Sequence, residues 1–118
     1  MRIAIIHPDM DKRGGAEYIV VWLAEELCRR GYAVTLFTRF FDEQFWSKDR
    51  GRERLYRVET VKGNALSIGR QLSGRLSGYD IINPHNHPAT VWVWWAVKFN
   101  PGLKKSRLVW FCEEPRRL

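Results

Sequence analysis

Two short, nearly continuous apolar runs mark the first part of the chain: RIAII at Arg2–Ile6 and AVTLFT at Ala33–Thr38. Runs of this kind are typical of strands that are buried on both faces of a parallel sheet. Between them, apolar residues recur at helical spacing, while glutamate and arginine residues occupy the opposite face. The pattern predicts a helix over Ala16–Arg30 that is capped by Gly31. Strand, helix and strand together form a βαβ unit, whose crossover should be right-handed.

The remaining pattern predicts three more strands and two more helices. Strands are expected at Arg57–Val61, in YDIINPH with its end at Pro84, and in RLVWFC. The segment NALSIGRQLSGRL predicts a helix that Gly69 and Gly74 weaken, and PATVWVWWAVKF predicts a helix with Pro88 in its first turn. The intervening FDEQFWSKDRGRERL is charged and aperiodic, so we expect an exposed loop with at most a helical turn.

Alternating strands and helices are typical of a doubly wound, Rossmann-like α/β domain. We therefore predict a single domain over residues 1–118. Its parallel sheet should contain five strands in the order 3-2-1-4-5, with helices on both faces. The last strand is followed at once by EEPRRL, where the next loop and helix would begin. We therefore expect the chain to be the N-terminal part of a longer protein.

The composition supports one globular domain and points to anionic partners. Hydrophobic residues make up 45% of the 118 positions, which suffices for one core. The net charge of +7 arises from 20 Lys and Arg against 13 Asp and Glu, and it favours phosphates, nucleotides or acidic lipid headgroups. Because the basic residues are scattered rather than concentrated, we do not expect nucleic acid as a partner.

The same features bear on the cellular compartment. Two cysteines fit a reducing compartment, and the chain has neither a signal peptide nor an apolar run of the roughly 20 residues that span a bilayer. We expect a cytoplasmic protein whose contact with the inner face of a membrane is peripheral, weak and electrostatic. Trp92, Trp95 and Phe99 share a helical face that predicts packing in the core, and Trp94 lies off this stripe. Ordinary packing is one interpretation of these aromatic residues, and an aromatic at a lipid interface or a partner domain is the other.

Several chemically useful residues follow the predicted strands. Ligands of open α/β sheets bind outside the carboxyl ends of the strands, where the strand order reverses. The residues at these ends are His7, Pro8 and the pair Gly14-Gly15 after the first strand, His85, Asn86 and His87 after the fourth, and Cys112, Glu113, Glu114 and Arg116 after the fifth.

The pair Gly14-Gly15 has two interpretations, which the residues alone leave open. At the start of a helix, free N–H groups and the helix dipole attract an anion, and glycine lets the backbone approach it. Alternatively, the pair only makes a tight turn with close helix–sheet packing. The dinucleotide fingerprint G-x-G-x-x-G is absent, Thr38-Arg39 replaces the acidic ribose ligand, and no P-loop lysine follows the glycines.

A metal site is not expected. His85 and His87 could bind zinc together with Cys112 or a glutamate only if the chain turns between them, and no known metal-binding spacing accompanies them. Glu113 and Glu114 are adjacent in sequence, and adjacent side chains diverge in a strand or helix. At most one of the two carboxylates is therefore expected to face a substrate.

Three segments together resemble a known family. IAIIHPDMDKRGGAEYIVVWLAEELCRRGYAVTLFT resembles the opening of the retaining glycosyltransferases of family 4, which have the GT-B fold. Members often show a glycine pair, then Ala-Glu, then a helix that ends in Arg-Gly before a valine-rich strand. YDIINPHNHPA and VWFCEEPRR resemble the family's fourth and fifth strand ends, the latter close to a Cys-His-Glu-Pro-Pro-Arg pattern. The resemblance covers nearly all of the chain.

The resemblance implies two Rossmann-like domains that face each other across a cleft, with this chain as the N-terminal, acceptor-side domain. Gly14 and Gly15 would then bring backbone close to the phosphate and sugar of the donor. His85 and Asn86 would face the acceptor. A C-terminal domain, absent from this chain, would bind most of the nucleotide sugar.

The fifth strand end matches the family only in part. Glu114 and Arg117 fall at matching positions, whereas Glu113 stands where the family often has a histidine that contacts the donor sugar, and Arg116 replaces a proline. The implied function is transfer of a hexose, with mannose as one candidate, to a lipid-linked or polysaccharide acceptor. No cofactor and no catalytic nucleophile are implied. A stand-alone phosphate- or nucleotide-binding module without catalysis remains the alternative.

Overall fold

The computed structural model describes residues 1–10, 15–48 and 54–109. Within these ranges the elements are β1 (Arg2–Ile6), β2 (Asp9–Met10), α1 (Gly15–Arg29), β3 (Ala33–Thr38), β4 (Phe40–Phe41), α2 (Glu43–Lys48), β5 (Arg57–Thr60), α3 (Ala65–Arg75), β6 (Ile81–Pro84), α4 (Ala89–Phe99), a 3₁₀ helix (Pro101–Lys105) and β7 (Arg107–Leu108).

The central sheet is parallel and has the order β5-β3-β1-β6-β7. Counted along the chain within this sheet alone, that order is 3-2-1-4-5, so the prediction is confirmed. β1 lies in the middle, with Arg2 opposite Ala33 on one side and Ile3 opposite Ile81 on the other. The strand order reverses between β1 and β6, which makes their carboxyl ends the expected ligand site.

Alternate residues of the central strands supply two separate cores. Ile3 and Ile5 of β1 pack on the side of α1, together with Val34 and Leu36 of β3. The intervening residues of β1 point the other way, into a core that α3 and α4 cover. Because helices cover both faces of the sheet, both sets of strand residues are apolar, and this accounts for the continuous apolar runs in the sequence.

α1 begins and ends one residue earlier than predicted, at Gly15 and Arg29. Gly31 caps it with a φ of 95°, in the left-handed region where glycine has no steric cost. Its N–H donates to the carbonyl oxygen of Cys28 over 3.0 Å, and the next N–H donates to Leu27 over 3.1 Å. These bonds satisfy two of the carbonyl groups that the end of a helix leaves unpaired.

α3 and α4 pack against each other at Gly69, which is buried beneath Trp95. Trp92 is buried as predicted, whereas Trp95 is half-buried and Phe99 is 42% exposed, so the predicted aromatic stripe is only partly core. Trp94 is 49% exposed. α4 has only 11 residues, and within the described ranges no helix has the length and apolarity that crossing a bilayer would require.

The prediction of an exposed loop after β4 is wrong at Trp46. This residue lies in α2, is 3% exposed, and donates from Nε1 to the carbonyl oxygen of Met10 over 2.6 Å. Met10 belongs to β2, which pairs in parallel with β4 in a separate two-stranded sheet. A buried tryptophan with a satisfied N–H thus fixes α2 to the carboxyl edge of the central sheet.

Candidate functional site

The carboxyl ends of β1 and β6 lie side by side at the point where the strand order reverses. Ile6 is opposite Pro84, and the N–H of His85 donates to the carbonyl oxygen of Ile6 over 2.8 Å. The next residue of β1 is His7, whose N–H donates to the carbonyl oxygen of Phe37 over 3.0 Å. The backbone ladder therefore continues past both strands and brings the two histidines next to each other.

His85 is held in one orientation by a chain of hydrogen bonds. The side-chain amide nitrogen of Asn83 donates to the carbonyl oxygen of Val109 over 2.5 Å, which fixes the direction of the amide. The amide oxygen of Asn83 then lies 2.5 Å from Nε2 of His85 and can only accept. Nε2 must therefore carry the proton. Burial, and secondarily the neighbouring His7, lowers the pKa of His85 to about 4, so its ring is neutral at neutral pH.

His7 is also buried but lacks such a network. Its side chain is 4% exposed, and among the described residues neither ring nitrogen finds a hydrogen bond of ordinary geometry. Burial lowers the pKa of His7, and Asp9 opposes this shift through its backbone and its carboxylate without reversing it. An unpaired buried polar group costs about 1–3 kcal/mol of stability, so the imidazole of His7 destabilises the free protein at this position.

The loop after β6 adds two further residues to the same edge. Asn86 has a φ of 59° and is the one residue other than glycine with a positive φ in the described part of the chain. Asparagine tolerates this left-handed conformation better than most residues, yet such positions concentrate at functional sites. Its carbonyl oxygen accepts from Thr90 over 3.3 Å at the start of α4. His87, the next residue, is exposed.

Gly15 starts α1 at this edge, and the described residues do not require a glycine there. Its φ is not in the left-handed region, and among the described residues a methyl group added at this position would meet no atom within 4 Å. Packing against the described residues therefore gives no reason for a glycine at position 15, and the choice between the two interpretations of the pair stays a prediction. Gly14 lies outside the described residues, and its role stays a prediction.

Arg39, which with Thr38 replaces the acidic ribose ligand of dinucleotide-binding folds, forms its contacts within the protein. Its guanidinium forms two hydrogen bonds with the Asp9 carboxylate, at 3.1 and 2.8 Å. It also lies 5.3 Å from the ring centroid of Trp92. The residue thus ties β2 to the end of β3 and to α4, which favours a structural role.

The structure brings Gly15, His85 and Asn86 to one edge of the sheet together with His7, which sequence analysis placed at a strand end without a specific role. The sequence pattern that marks His7 is a polar residue directly after an apolar strand. Glu113, Glu114 and Arg117, with the candidate metal ligand Cys112, lie outside the described residues, so their place in the site stays a prediction. Among the described residues no group of three potential ligands could hold a metal ion.

A cavity of about 440 Å³ lies away from this site, at the opposite edge of the sheet. It is lined by the residues that precede β6 and β7, among them Tyr79, Asp80 and Lys105. The amino ends of parallel strands are not where open α/β sheets bind ligands. We therefore place the candidate site at the carboxyl edge, on the geometry of the fold rather than on cavity size.

Comparison with known proteins gives a family and a fold. The model of Glycosyltransferase Family 4 matches residues 13–112 of the chain. No curated protein sequence matches the chain. Among solved structures, a glycosyltransferase from Rickettsia africae superposes with a TM-score of 0.63 and 12% identity over 92% of this chain and 28% of its own. The chain thus spans only about a quarter of that enzyme's length.

A second structural neighbour shows that the fold has more than one use. The C-terminal domain of a hydrogenase from Pyrococcus furiosus superposes with a TM-score of 0.58 and 14% identity, over 93% of this chain and 90% of that one. At such low identities the superpositions establish the Rossmann-like fold alone, and fold alone does not decide function. The family match carries the functional information.

Proposed function

Because the chain belongs to glycosyltransferase family 4, we propose that it forms the acceptor-side domain of a retaining hexosyltransferase. The enzyme would transfer a hexose, with mannose as one candidate, from a nucleotide sugar to a lipid-linked or polysaccharide acceptor. The match to the family over residues 13–112 supports the transferase activity. The sugar, the acceptor and the stereochemical course rest on the resemblance of the glycine loop and the strand ends to those of the family.

The observation that carries the proposal at the level of residues is the unexplained glycine at position 15. Neither a positive φ nor a neighbouring atom within 4 Å accounts for it among the described residues. A ligand that approaches the start of α1 would account for it, because glycine lets the backbone come close to a phosphate. We therefore assign Gly15, together with Gly14, to the donor diphosphate.

The proposed chemistry depends on positioning and on electrostatics. Negative charge develops on the diphosphate as the bond to the sugar breaks, and the N-terminus of α1, a helix of 15 residues, would stabilise that charge with its free N–H groups and its dipole. Donor and acceptor would be held between this chain and a donor-binding domain. His85 and Asn86 would line the acceptor side. No nucleophile is assigned, and no cofactor is required.

A lipid-linked acceptor would bring the enzyme to a membrane, and one exposed surface suits that setting. On α4, the ammonium group of Lys98 lies 5.1 Å from the ring centroid of the exposed Trp94. Nearby, the guanidinium of Arg70 lies 5.9 Å from the ring centroid of Phe99. Paired cations and amphipathic rings suit an anionic headgroup layer. We propose weak, electrostatic contact of this surface with anionic lipid.

Replacing Gly15 by alanine tests the proposal in the enzyme that combines this chain with its nucleotide-sugar domain. We expect Gly15→Ala to lower turnover more than tenfold, a barrier change above about 1.4 kcal/mol, because the methyl group obstructs the approach of the diphosphate. The melting temperature should hardly change, since the methyl group meets no atom of the described residues within 4 Å. Turnover and melting temperature are measured on the same preparations.

Gly74→Ala is the matched control. A methyl group at Gly74 also meets no atom within 4 Å among the described residues, and the residue lies near the end of α3, at the opposite edge of the sheet. This variant should keep full turnover. If Gly15→Ala also keeps full activity per folded molecule, Gly15 does not contact the donor. Early melting with full activity would show that the glycine pair only turns the chain.

A further inference from the structure

His7 is the buried group in the candidate site that neither the fold nor the proposed function explains. Both nitrogens of its ring are buried, and among the described residues neither has a hydrogen-bond partner of ordinary geometry. The backbone of Asp9 acts on the ring only enough to oppose the lowering of the pKa of His7. Its neighbour His85 differs, because Asn83 holds one nitrogen of that ring. Buried polar groups are normally satisfied, and the exceptions concentrate where a ligand, an ion or a water completes the bonding.

The surroundings of His7 favour an anion as the missing partner. It follows the carboxyl end of β1, at the edge where α1 begins, so the positive end of the α1 dipole lies at the same edge. Within the described residues, too few potential metal ligands come together to hold a cation. An imidazole N–H that makes no other hydrogen bond can donate to a phosphate oxygen, and this hydrogen bond is stronger when the ring is protonated.

The charged and titratable groups around His7 do not supply that partner. Asp9, two residues on, is the carboxylate whose charge acts on His7, but it also accepts two hydrogen bonds from Arg39 at the end of β3. From β6, His85 contributes a neutral ring that Asn83 fixes, and a charge on His85 would oppose a charge on His7. α1 contributes its N-terminal dipole and, in its first turn, the carboxylate of Glu17. Among the described residues none of these groups forms a hydrogen bond of ordinary geometry with the ring nitrogens of His7, which leaves the ring available to a free anion.

We propose that His7 binds a phosphate group of the substrate by donating a hydrogen bond from its imidazole, and that the ring takes up a proton from solvent as it does so. This inference deepens the proposed function, on which it rests for the identity of the phosphate as that of the donor diphosphate. Because one proton enters with the anion, affinity rises as the pH falls, by at most about tenfold per pH unit.

Sulfate is the probe, because its charge is constant between pH 6 and pH 8 and any pH dependence then belongs to the protein. Binding to the 118-residue chain is followed by NMR at constant ionic strength, since simple screening would otherwise imitate the effect. We expect sulfate to bind at least about fivefold more tightly at pH 6 than at pH 8. In His7→Leu this pH dependence should disappear, and affinity at pH 6 should fall at least about fivefold.

The melting temperature distinguishes a role of His7 in anion binding from a purely structural role. Replacing this buried imidazole should leave the melting temperature of His7→Leu unchanged or raised, because among the described residues the ring makes no hydrogen bond of ordinary geometry that could be lost. Tyr79→Phe is the control with the opposite pattern. It removes the 2.9 Å hydrogen bond between the Tyr79 hydroxyl and Thr35 Oγ1 in the core, so it should melt about 5 °C lower and bind sulfate like the wild type.

A second measurement does not depend on the variant folding. The nitrogen shifts of the His7 ring in the wild-type chain report its protonation, and saturating sulfate at pH 7 should convert the ring from the neutral to the charged form. The proposal is wrong if the ring stays neutral, if the wild-type chain binds no sulfate, or if His7→Leu binds it unchanged. Sulfate binding requires no sugar transfer, so these results are independent of the failure or success of the transfer assay.

Discussion

Gly69 offers the sharpest test of the packing between α3 and α4. It lies in the middle of α3, and a methyl group added there would stand 2.4 Å from Cβ of Trp95, 3.1 Å from the carbonyl oxygen of Trp92 and 3.3 Å from the backbone nitrogen of Ala96. All three atoms belong to α4. Two of them are backbone atoms and the third is a Cβ, so no side-chain rotation can move them away.

The size of the effect follows from these distances. Two carbon atoms prefer a separation of about 3.5–4.0 Å, so the contact with Trp95 is short by roughly 1 Å or more and the helices must separate. Separation loosens the core between them, which includes Ile68, Leu72 and the buried face of Trp92. Overpacking lowers the free energy of unfolding by about 1–3 kcal/mol, and the higher helix propensity of alanine offsets up to about 1 kcal/mol of this loss. We expect Gly69→Ala to lose about 2 kcal/mol, which corresponds to a melting temperature roughly 10 °C lower.

Gly74→Ala makes the same chemical change in the same helix without the clash. It is exposed, its φ is not left-handed, and a methyl group there meets no atom within 4 Å among the described residues. We expect it to gain up to about 1 kcal/mol. Urea unfolding followed by circular dichroism measures both variants. If the two substitutions shift stability in the same direction by similar amounts, the close packing of α3 against α4 at Gly69 is wrong.

Two other measurements test the electrostatics. The pKa of His85 is about 4 in the folded protein and near 6.5 in the unfolded chain, so between these values the unfolded chain binds more protons. The contribution of His85 to the free energy of unfolding is fully present above pH 6.5 and should fall by up to about 3 kcal/mol as the pH falls to about 4. Urea midpoints that do not differ between pH 7 and pH 4.5 would contradict this expectation. Binding to anionic vesicles should weaken steeply as salt increases. Salt-independent binding that Trp94→Ala abolishes would indicate insertion of that ring instead.

The fold could be predicted because its central strands are buried on both faces. β1 and β3 begin and end at the predicted residues, since burial on two sides forces every position to be apolar and turn residues mark the ends. The strand order 3-2-1-4-5 is one of the few orders that right-handed βαβ crossovers with helices on both faces allow, and it is a common one. None of this required knowledge of distant contacts.

The segments that escaped prediction depend on contacts between distant residues. β2 and β4 have two residues each, too few to show any periodicity. α2 lies in a charged, aperiodic stretch, and it is fixed by the bond from Trp46 to Met10, 36 residues earlier. A tryptophan among charged residues gave no sign of burial, because the carbonyl oxygen that satisfies its N–H comes from another element.

The position of the candidate site could be predicted from the sequence, but the roles of its individual residues could not, and the reason is physical. Sequence shows which residues follow the strands, whereas the absence of a partner becomes visible only in three dimensions. Three unusual features lie at the carboxyl edge. Among the described residues, the buried ring of His7 has no hydrogen bond of ordinary geometry, Asn86 has a left-handed φ, and a methyl group at Gly15 would meet no atom within 4 Å. By contrast, Gly31 follows α1 at the opposite edge, and there glycine serves the cap of a helix. Residues that cost stability without serving the fold concentrate where a ligand compensates for them, and here they converge on the edge at which the strand order reverses.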